Sequence, residues 1–316
     1  MLNEKRKHNK TYFAYALIFL VVLIWGCSPP LNTYLNQNYS VALRTAVVGV
    51  ISAISLLIIC WGRLKKLNAG YFALAIPTGV CVALASVIQK IGLYYTTPTK
   101  YAFLENLSCV VVPVILFFVI KKKPSFLTIL SSILCLAGCF VLSGISFTSG
   151  DMTFGIGEIL CALAGVFYGV NIAFTGAKIH KFDTLLYLMV QMCVQAIAGV
   201  IFAILFSIIN INGAPIEVFR WSWDLGGIAL IVLVALISNV LCWFLRTYAM
   251  NFVNPTAVSV IMPFSAVITG IVSVIFGMDA ISLEFILGGV ISLGAVILSS
   301  IADIKYEKKD TKTKQE

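Results

Sequence analysis

The residues of this sequence with the greatest scope for chemistry are charged side chains inside long apolar runs. Glu105 lies within the run KYAFLENLSCVVVPVILFFVI (100–120), and Lys90 and Arg44 lie in the two runs before it. If the runs are membrane helices, a rise of about 1.5 Å per residue places Glu105 roughly 10 Å from its helix end, with Lys90 and Arg44 at similar depths. Because an ionisable side chain in a bilayer usually faces a cavity or a partner, these residues are candidates for proton exchange or for binding a charged ligand.

The same three residues also have a purely structural interpretation. Lys90 and Arg44 carry long apolar stems that can extend their charged ends to the membrane interface. Glu105 would then form an ion pair with one of them and hold helices together. The sequence alone leaves both interpretations open.

Neutral polar residues are predicted near the middle of the bilayer. Gln191 and Gln195 are four residues apart and therefore share one face of a helix, and Asn171 and Asn239 lie in the neighbouring runs. Their amides could line a polar cavity for a zwitterionic or amide-bearing compound. They could equally form interhelical hydrogen bonds, which contribute about 0.6 kcal/mol each on average in membranes.

Three aromatic residues and two prolines complete the candidate site. Trp25, Tyr168 and Trp243 lie near the predicted midplane, where they could wall a cavity. Pro113 and Pro263 each remove a backbone donor and clash with a preceding carbonyl, which predicts a kink. We expect these two kinks to act as hinges, because each lies in the fourth apolar run of one half of the chain.

The composition predicts an integral membrane protein. Hydrophobic residues make up 60% of the 316 residues and charged residues only 11%, which leaves more apolar surface than one soluble core can bury. A helix needs about 20 apolar residues to cross a bilayer, and the runs lack the alternation of barrel strands. The prediction is therefore an all-α integral membrane protein with ten transmembrane helices. The predicted spans are 12–35, 40–62, 70–95, 98–120, 125–146, 155–178, 183–210, 224–248, 255–277 and 283–302.

The distribution of charge predicts the orientation in the membrane. The net charge of +9 is dispersed among loop ends, whereas a nucleic-acid site would gather it on one soluble face, so no nucleic-acid partner is expected. With the N-terminus in the cytoplasm, most of the 22 Lys and Arg residues fall on the cytoplasmic side, in agreement with the positive-inside rule. Both termini are therefore predicted to be cytoplasmic. The nine cysteines all fall within predicted spans and are interpreted as packing residues.

The ten runs form two sets of five that echo one another. Pro98-Thr99 opens the fourth run and Pro255-Thr256 opens the ninth, 157 residues later, and Trp25-Gly26 corresponds to Tyr168-Gly169. Two units with an odd number of spans must lie inverted relative to each other, an arrangement typical of secondary transporters. The predicted segments are a basic N-terminal segment 1–11, a first repeat 12–146, an extracytoplasmic link 147–154, a second repeat 155–302 and a cytoplasmic tail 303–316.

Short segments distributed over essentially the whole chain also match the pattern of a known family. They are Trp25-Gly26, Arg44, TTPTKYAFLENLSCVVVP (96–113), Gly157-Glu158, FGMDAIS (276–282) and LGGVISLGAVILS (287–299). In these features the chain resembles the drug/metabolite transporter superfamily, in particular the EamA-type permeases. The resemblance implies two five-helix repeats. It is specific for architecture and weak for the substrate, because the family exports or imports many small molecules.

The sequence thus predicts a secondary active transporter that moves a small polar metabolite, such as an amino acid, by alternating access, with export as the expected direction. The alternatives are a facilitative, ion-independent carrier and, from other classes, a membrane channel or a membrane-embedded enzyme. Because the sequence contains no catalytic motif, P-loop or Cys/His cluster, no catalytic residue, metal or cofactor is expected. The expected partners are the substrate, the lipid bilayer and, in the coupled case, protons. We expect a monomer or homodimer in a bacterial inner membrane.

Overall fold

The computed structural model describes residues 2–120, 124–142, 155–211, 214–215, 217, 219–278 and 283–313. These residues are almost entirely helical, apart from loops and one short antiparallel pair, β1 (Asn210–Ile211) and β2 (Ala214–Pro215). The predicted link 147–154 and the last three residues of the predicted tail lie outside the described residues.

The helices of the first half end at Leu142. They are α1 (Leu2–Gly26), α2 (Ser28–Asn38), α3 (Val41–Cys60), a 3₁₀ turn (Trp61–Lys66), α4 (Ala69–Gly92), α5 (Pro98–Glu105), α6 (Ser108–Ile120) and α7 (Phe126–Leu142). The second half follows the same plan. Its helices are α8 (Ile156–Lys178), a 3₁₀ turn (Ile179–Lys181), α9 (Thr184–Ile208), α10 (Leu225–Leu233), a π-helical segment (Val234–Leu241), α11 (Cys242–Ala249), α12 (Pro255–Ile261), α13 (Phe264–Ile275) and α14 (Leu283–Thr313).

Eight helical stretches of the described chain are long and apolar enough to cross a membrane. They are Lys10–Asn38, Val41–Lys66, Ala69–Gly92, Pro98–Val119, Ile156–Lys181, Thr184–Ile208, Leu225–Ala249 and Pro255–Ile275. Two shorter apolar helices, Phe126–Gly138 and Ile286–Ser299, lie where the fifth and tenth spans are predicted. Large apolar side chains such as Ile58 and Phe118 are exposed, as a surface that faces lipid tails requires. The helical membrane fold is thus confirmed, while the count of ten spans and the cytoplasmic termini stay predictions.

Three predicted spans are interrupted rather than continuous. The first is divided at Cys27, the fourth at Asn106–Leu107, and the ninth at Met262–Pro263. Pro113 lies within α6, six residues after the interruption at Asn106–Leu107, and the kink expected there stays a prediction. Pro263 does lie at the break of its span, between α12 and α13.

The two halves begin their broken helices in the same way. Thr97 accepts a hydrogen bond from the backbone N–H of Lys100 and precedes Pro98, and Asn254 accepts one from the N–H of Thr256 and precedes Pro255. The side chain of a polar N-cap accepts a hydrogen bond from one otherwise free backbone N–H of the first turn. Proline suits the next position because it has no N–H that would need a partner there. The matched caps fix α5 and α12 at equivalent places in the two halves.

Glycines bring helices of one half against helices of the other. A Cβ atom on Gly26 of α1 would lie 2.5 Å from Cβ of Ile268 in α13, and one on Gly169 of α8 would lie 2.7 Å from Cγ1 of Val111 in α6. Val111 and Ile268 are themselves 157 residues apart. Each half therefore packs one helix against the broken helix of the other in an equivalent manner.

Small residues also support the periphery. A Cβ on Gly49 of α3 would lie 2.8 Å from Cα of Ala196 in α9, and one on Gly138 of α7 would lie 2.7 Å from the backbone N of Ser292 in α14. Such close approach of backbones is what small residues allow in membranes, where van der Waals packing drives helix association. The α7–α14 pair closes the fold away from its centre.

Candidate functional site

A cavity of about 110 Å³ lies where the two halves of the chain meet. It is bordered by both break regions, at Asn106 and Met262, and by helices of both halves, whereas no described residue of α7 or α14 lines it. Among the residues predicted to form a site, those that line the cavity are Trp25, Lys90, Glu105, Tyr168, Gln195, Asn239 and Trp243. Arg44, Asn171 and Gln191 lie behind this lining.

Glu105 is the last residue of α5 and borders the cavity at the helix break. Gln89 of α4 donates a hydrogen bond from Nε2 to Oε2 of Glu105 at 2.5 Å. Beside it, the side chain of Asn106 donates to the backbone oxygen of Ala102 at 2.5 Å. The carboxylate is thus held at the end of a short helix and not in the middle of a long one, because the chain turns directly after it.

The predicted ion pair between Glu105 and a basic neighbour is not formed among the described residues. Lys90 also borders the cavity, but its Nζ donates to Oγ1 of Thr45 at 3.2 Å and to Oγ of Ser86 at 3.0 Å. Its charge is therefore solvated by hydroxyl groups. No described carboxylate lies within 4.0 Å of it.

Arg44 lies outside the cavity lining and is only 2% exposed. Its Nη2 donates to Oδ1 of Asn36 in α2 at 2.7 Å, while its Nη1 is buried without a hydrogen-bond partner. The interpretation in which Arg44 extends to the membrane interface does not describe this buried side chain. Its contact with Asn36 instead ties α2 to the start of α3.

Three aromatic rings form one wall of the cavity. The ring centroid of Trp243 lies 5.8 Å from that of Trp25 and 6.4 Å from that of Tyr168. The hydroxyl of Tyr168 donates to Oε1 of Gln89 at 3.0 Å, and Nε1 of Trp25 donates to the backbone oxygen of Ser238 at 3.0 Å. The structure thus brings together the three aromatic residues that the sequence nominated, and links Tyr168 through Gln89 to Glu105.

Arg246 packs against this wall, borders the cavity and is 2% exposed. Its guanidinium carbon lies 4.0 Å from the ring centroid of Trp243 and 5.4 Å from that of Trp25. Nη2 donates to Oδ1 of Asn171 at 2.8 Å, whereas Nε is buried without a partner. An arginine stacked on tryptophan and anchored by one amide keeps its remaining donors in a fixed direction.

The predicted amide residues divide between the cavity and the packing behind it. Asn239, in the π-helical segment, donates to Oε1 of Gln195 at 3.2 Å and to Oγ of Ser52 at 3.3 Å, and both amides border the cavity. Gln191 donates to the hydroxyl of Tyr187 at 3.2 Å and does not reach the lining. Two residues on one helical face therefore need not both border the cavity. The face of α9 is wide enough that Gln195 meets the cavity while Gln191 meets Tyr187 behind it.

Sequence reasoning missed Gln89, Asn106 and Arg246 as parts of the site. Arg246 lies within the eighth predicted span, so the rule that singles out Glu105 as an intramembrane charge applies to it equally. Gln89 lies 157 residues before Arg246, and the repeat spacing would have drawn attention to this pair. Asn106 carried no separate signal, since an asparagine next to a predicted acidic site does not reveal a helix break.

The described residues contain no group of three or more His, Cys, Asp or Glu side chains that could hold a metal ion. The cavity instead offers one carboxylate, two cationic groups, several amides and hydroxyls, and aromatic faces. Such a lining can bind a small polar molecule through hydrogen bonds and charge while the rings exclude water.

Comparison with known proteins gives one partial sequence relative, one solved structure matched over nearly its whole length, and one family match. A protein from Archaeoglobus fulgidus named as an uncharacterized transporter is 28% identical over 164 residues, which are 52% of this chain. The aligned region spans 49% of that relative's length, about half. A solved structure titled "Crystal structure of protein" has a TM-score of 0.72 at 13% identity, and the alignment covers 94% of this chain and 99% of that chain. This likeness shows a shared fold.

The model of the EamA-like transporter family matches residues 12–144 and again residues 155–301. The two matches correspond to the two halves that meet at the cavity, and together they leave only the ends and a short connection unmatched. This protein, a multi-pass integral membrane protein, therefore belongs to the EamA-like transporter family of the drug/metabolite transporter superfamily.

Proposed function

We propose that this protein is a secondary transporter that moves a small polar metabolite across the membrane by alternating access. The observation that carries the proposal is the polar cavity shared by the two halves and bordered by one helix break from each. Inverted repeats with discontinuous helices and a central site are the usual architecture of secondary transporters.

The two breaks are the points about which the halves would move. At Asn106–Leu107 and at Met262–Pro263 the helical hydrogen-bond ladder is interrupted, and a change in backbone angles there disrupts fewer bonds than one within a helix. Rocking of one half against the other about these positions would open the cavity to each side in turn. The hinge proposed at Pro113 is accordingly transferred to Asn106–Leu107, while the one at Pro263 is retained.

The proposed topology has ten transmembrane helices, in which α7 and the apolar part of α14 cross the membrane as the fifth and tenth spans. Both termini are cytoplasmic in this proposal, and the second half is inverted relative to the first. The dispersed basic loop ends support this orientation through the positive-inside rule. We propose the cytoplasmic membrane of a bacterium as the location.

Glu105 is the group proposed to couple transport to protons. It is an acid inside a membrane span, it borders the cavity, and it is held by the amide of Gln89 and not by a cation. A carboxylate without an ion-pair partner can change its protonation without breaking a salt bridge. If it binds a proton on the outside and releases it in the cytoplasm, proton entry drives export of the metabolite.

Uptake into proteoliposomes tests the function and the coupling together. Labelled amino acids are the first compounds to test. A membrane-impermeant reagent that blocks only the protein molecules of one orientation would then reveal the direction of transport. We expect saturable transport that an imposed pH gradient accelerates. Gradient-independent transport of the same compounds would support the facilitative carrier instead.

The variant Glu105→Gln is expected to abolish acceleration by the pH gradient while the compound still binds, because the amide keeps the shape and loses the titrating proton. Glu158→Gln is the matched control, since Glu158 lies near Thr96 and Lys100 at the start of α8 and outside the cavity lining. Full gradient dependence in Glu105→Gln would eliminate Glu105 as the coupling group. Uptake that does not saturate with substrate concentration would favour a channel.

A further inference from the structure

We propose that Glu217 is a positioning residue that holds the cavity closed on its outer side. It belongs to an outer clasp, in which the segment after α9 binds helix ends of the first half. The residues of the outer clasp are Glu217, Arg220 and Trp221 of the second half and Asn36, Tyr39, Ser40 and Tyr94 of the first. The inference rests on the proposed transport function and adds a gate to it.

Glu217 caps α3 from the other half of the chain. It lies outside the apolar runs, yet only 9% of its surface is exposed. Its carboxylate accepts hydrogen bonds from the backbone N–H groups of Val41 and, at 3.0 Å, of Ala42, the first two residues of α3. The free N–H groups at a helix start favour such an anionic acceptor. Oε1 also lies 3.4 Å from the hydroxyl of Tyr94, which follows α4.

The backbone beside Glu217 joins the same two segments. Ser40, which precedes α3, donates its N–H to the backbone oxygen of Arg220 at 2.9 Å. The hydroxyl of Ser40 accepts from the N–H of Arg220 at 2.6 Å. Next to this pair, the rings of Tyr39 and Trp221 meet edge to face with their centroids 5.1 Å apart. The contact between the halves is therefore a set of hydrogen bonds and one ring pair, and does not depend on a single side chain.

The outer clasp lies directly beyond the cavity. In α2, Asn36 comes one helical turn after Asn32, which lines the cavity, and Tyr94 comes four residues after Lys90 of α4, which also lines it. The hydroxyl of Tyr94 donates to the backbone oxygen of Asn36 at 3.2 Å and accepts from Nη2 of Arg220 at 3.3 Å. Since α2 and α4 both run outward in the proposed topology, these bonds close the cavity toward the outside.

The corresponding contact at the other membrane face is weaker. Arg63 lies 157 residues before Arg220 and also contacts the other half, through an ion pair with Asp183 at the start of α9. Their atoms are 3.3 Å apart, and the two side chains are 50% and 27% exposed. Because an exposed ion pair contributes little to stability, the halves are held more firmly at the outer clasp. Release of Glu217 from α3 is therefore a step of opening to the outside.

Access to the cavity from outside tests the outer clasp without a transported compound. The reporter is Asn32→Cys, whose labelling by a membrane-impermeant maleimide is timed in right-side-out and in inside-out membrane vesicles. It is combined with Glu217→Ala, with Glu217→Gln or with the control Asp224→Ala. Asp224 caps α10, so its loss weakens a helix start without breaking a bond to the first half. Protein without the reporter gives the background from native cysteines such as Cys27, which is exposed.

We expect Asn32→Cys alone to react slowly from outside. Glu217→Ala should accelerate this reaction by at least about tenfold, because loss of a hydrogen bond to a charged group shifts the opening equilibrium by that factor. Glu217→Gln should accelerate it less, since the amide keeps one acceptor oxygen. Asp224→Ala should leave the rate unchanged, and so should each Glu217 variant when the reagent is added from the cytoplasmic side.

A covalent lock tests the outer clasp in the opposite direction. The double variant Ser40→Cys/Arg220→Cys places thiols at the two residues whose backbones are paired, and a mild oxidant joins them. Transport in proteoliposomes should then stop and should return with dithiothreitol, while each single variant transports in the presence of the oxidant. Gel filtration and melting temperature check that every variant is folded. If Glu217→Ala is not folded, Glu217→Gln and the lock decide.

Four outcomes would overturn the inference while leaving the transport function intact. They are unchanged labelling from outside in a folded Glu217→Ala protein, equal acceleration in Asp224→Ala, acceleration only from the cytoplasmic side, and full transport by the cross-linked protein. Failure of the transport function is a separate outcome. In that case the wild-type protein would move no compound, and the labelling rates would still show whether Glu217 controls access to the cavity.

Discussion

The two halves of the chain can be compared position by position, because Pro98 and Pro255 begin equivalent helices 157 residues apart. At this spacing Gln89 corresponds to Arg246, and Glu105 corresponds to Met262. All four residues border the cavity. The first half therefore supplies an acid held by an amide, and the second supplies a base beside an apolar residue.

This difference shows which properties the repeat conserves and which it does not. The helix starts, the breaks and the contacts of Gly26 and Gly169 are alike in the two halves. The ionisable residues at the cavity are not alike, because the first half contributes Glu105 and Lys90 and the second contributes Arg246. A shared framework with unlike side chains thus brings an acid and two bases to one cavity.

The largest effect is expected where the shared framework is overpacked. Gly26→Val and Gly169→Val each place a branched side chain where even a Cβ lies 2.5 Å or 2.7 Å from the neighbouring helix. Each variant should lower the free energy of unfolding by about 3 kcal/mol. Melting temperatures in detergent measure this effect, with Gly62→Val as the control because no atom lies within 4 Å of a Cβ there. A loss in only one of the two variants would contradict the equivalence of the halves.

An intermediate effect is expected where the halves differ chemically. Gln89→Leu removes the donor to the Glu105 carboxylate, worth about 2 kcal/mol as a bond to a charged group, and the acceptor of the neutral bond from Tyr168, worth about 1 kcal/mol. Gln191→Leu is the matched comparison, because it removes only a neutral bond to Tyr187 outside the cavity. Thermal unfolding should show the greater loss for Gln89→Leu. Equal losses would indicate that Glu105 carries no charge in the folded protein.

The smallest effect is expected at the matched aromatic pair. Tyr168→Phe removes the bond to Gln89, and Trp25→Phe removes the bond to the backbone of Ser238. Each is a neutral bond worth about 1 kcal/mol, which corresponds to roughly a fivefold change in an equilibrium constant. Ligand titrations should weaken by that factor in both variants. An effect of a hundredfold in one of them would mean that its ring or polar group contacts the ligand directly.

Much of the fold followed from local properties of the sequence. Apolar runs of helical length gave the helices, and Pro98 and Pro255 marked equivalent helix starts. The break at Asn106–Leu107 did not follow, because proline at 113 was the stronger local signal and a helix can accommodate proline when neighbours and side chains compensate. Gly169 and Ser108, which meet where α8 crosses this region, show that the break is stabilised by packing between distant segments.

The candidate site was predictable where the residue type alone shows that burial in a membrane helix costs free energy. Glu105, Lys90 and the aromatic residues Trp25, Tyr168 and Trp243 were identified because charge and large rings are conspicuous in an apolar helix, and the structure places all five at one cavity. Partner choice was not predictable in the same way. The amide of Gln89, and not a cation, holds Glu105.

The sequence by itself determined that the chain enters a membrane, that it is helical, and that its two halves share a plan, because hydropathy, run length and repeat spacing are properties of consecutive residues. Only the tertiary structure decided which of the intramembrane charges meet. Arg44 and Arg246 are both arginines within apolar runs, yet one is tied to Asn36 behind the lining and the other borders the cavity beside Trp243. The physical reason is that a helix exposes several faces to several neighbours, and the packing of distant helices determines which face meets the cavity.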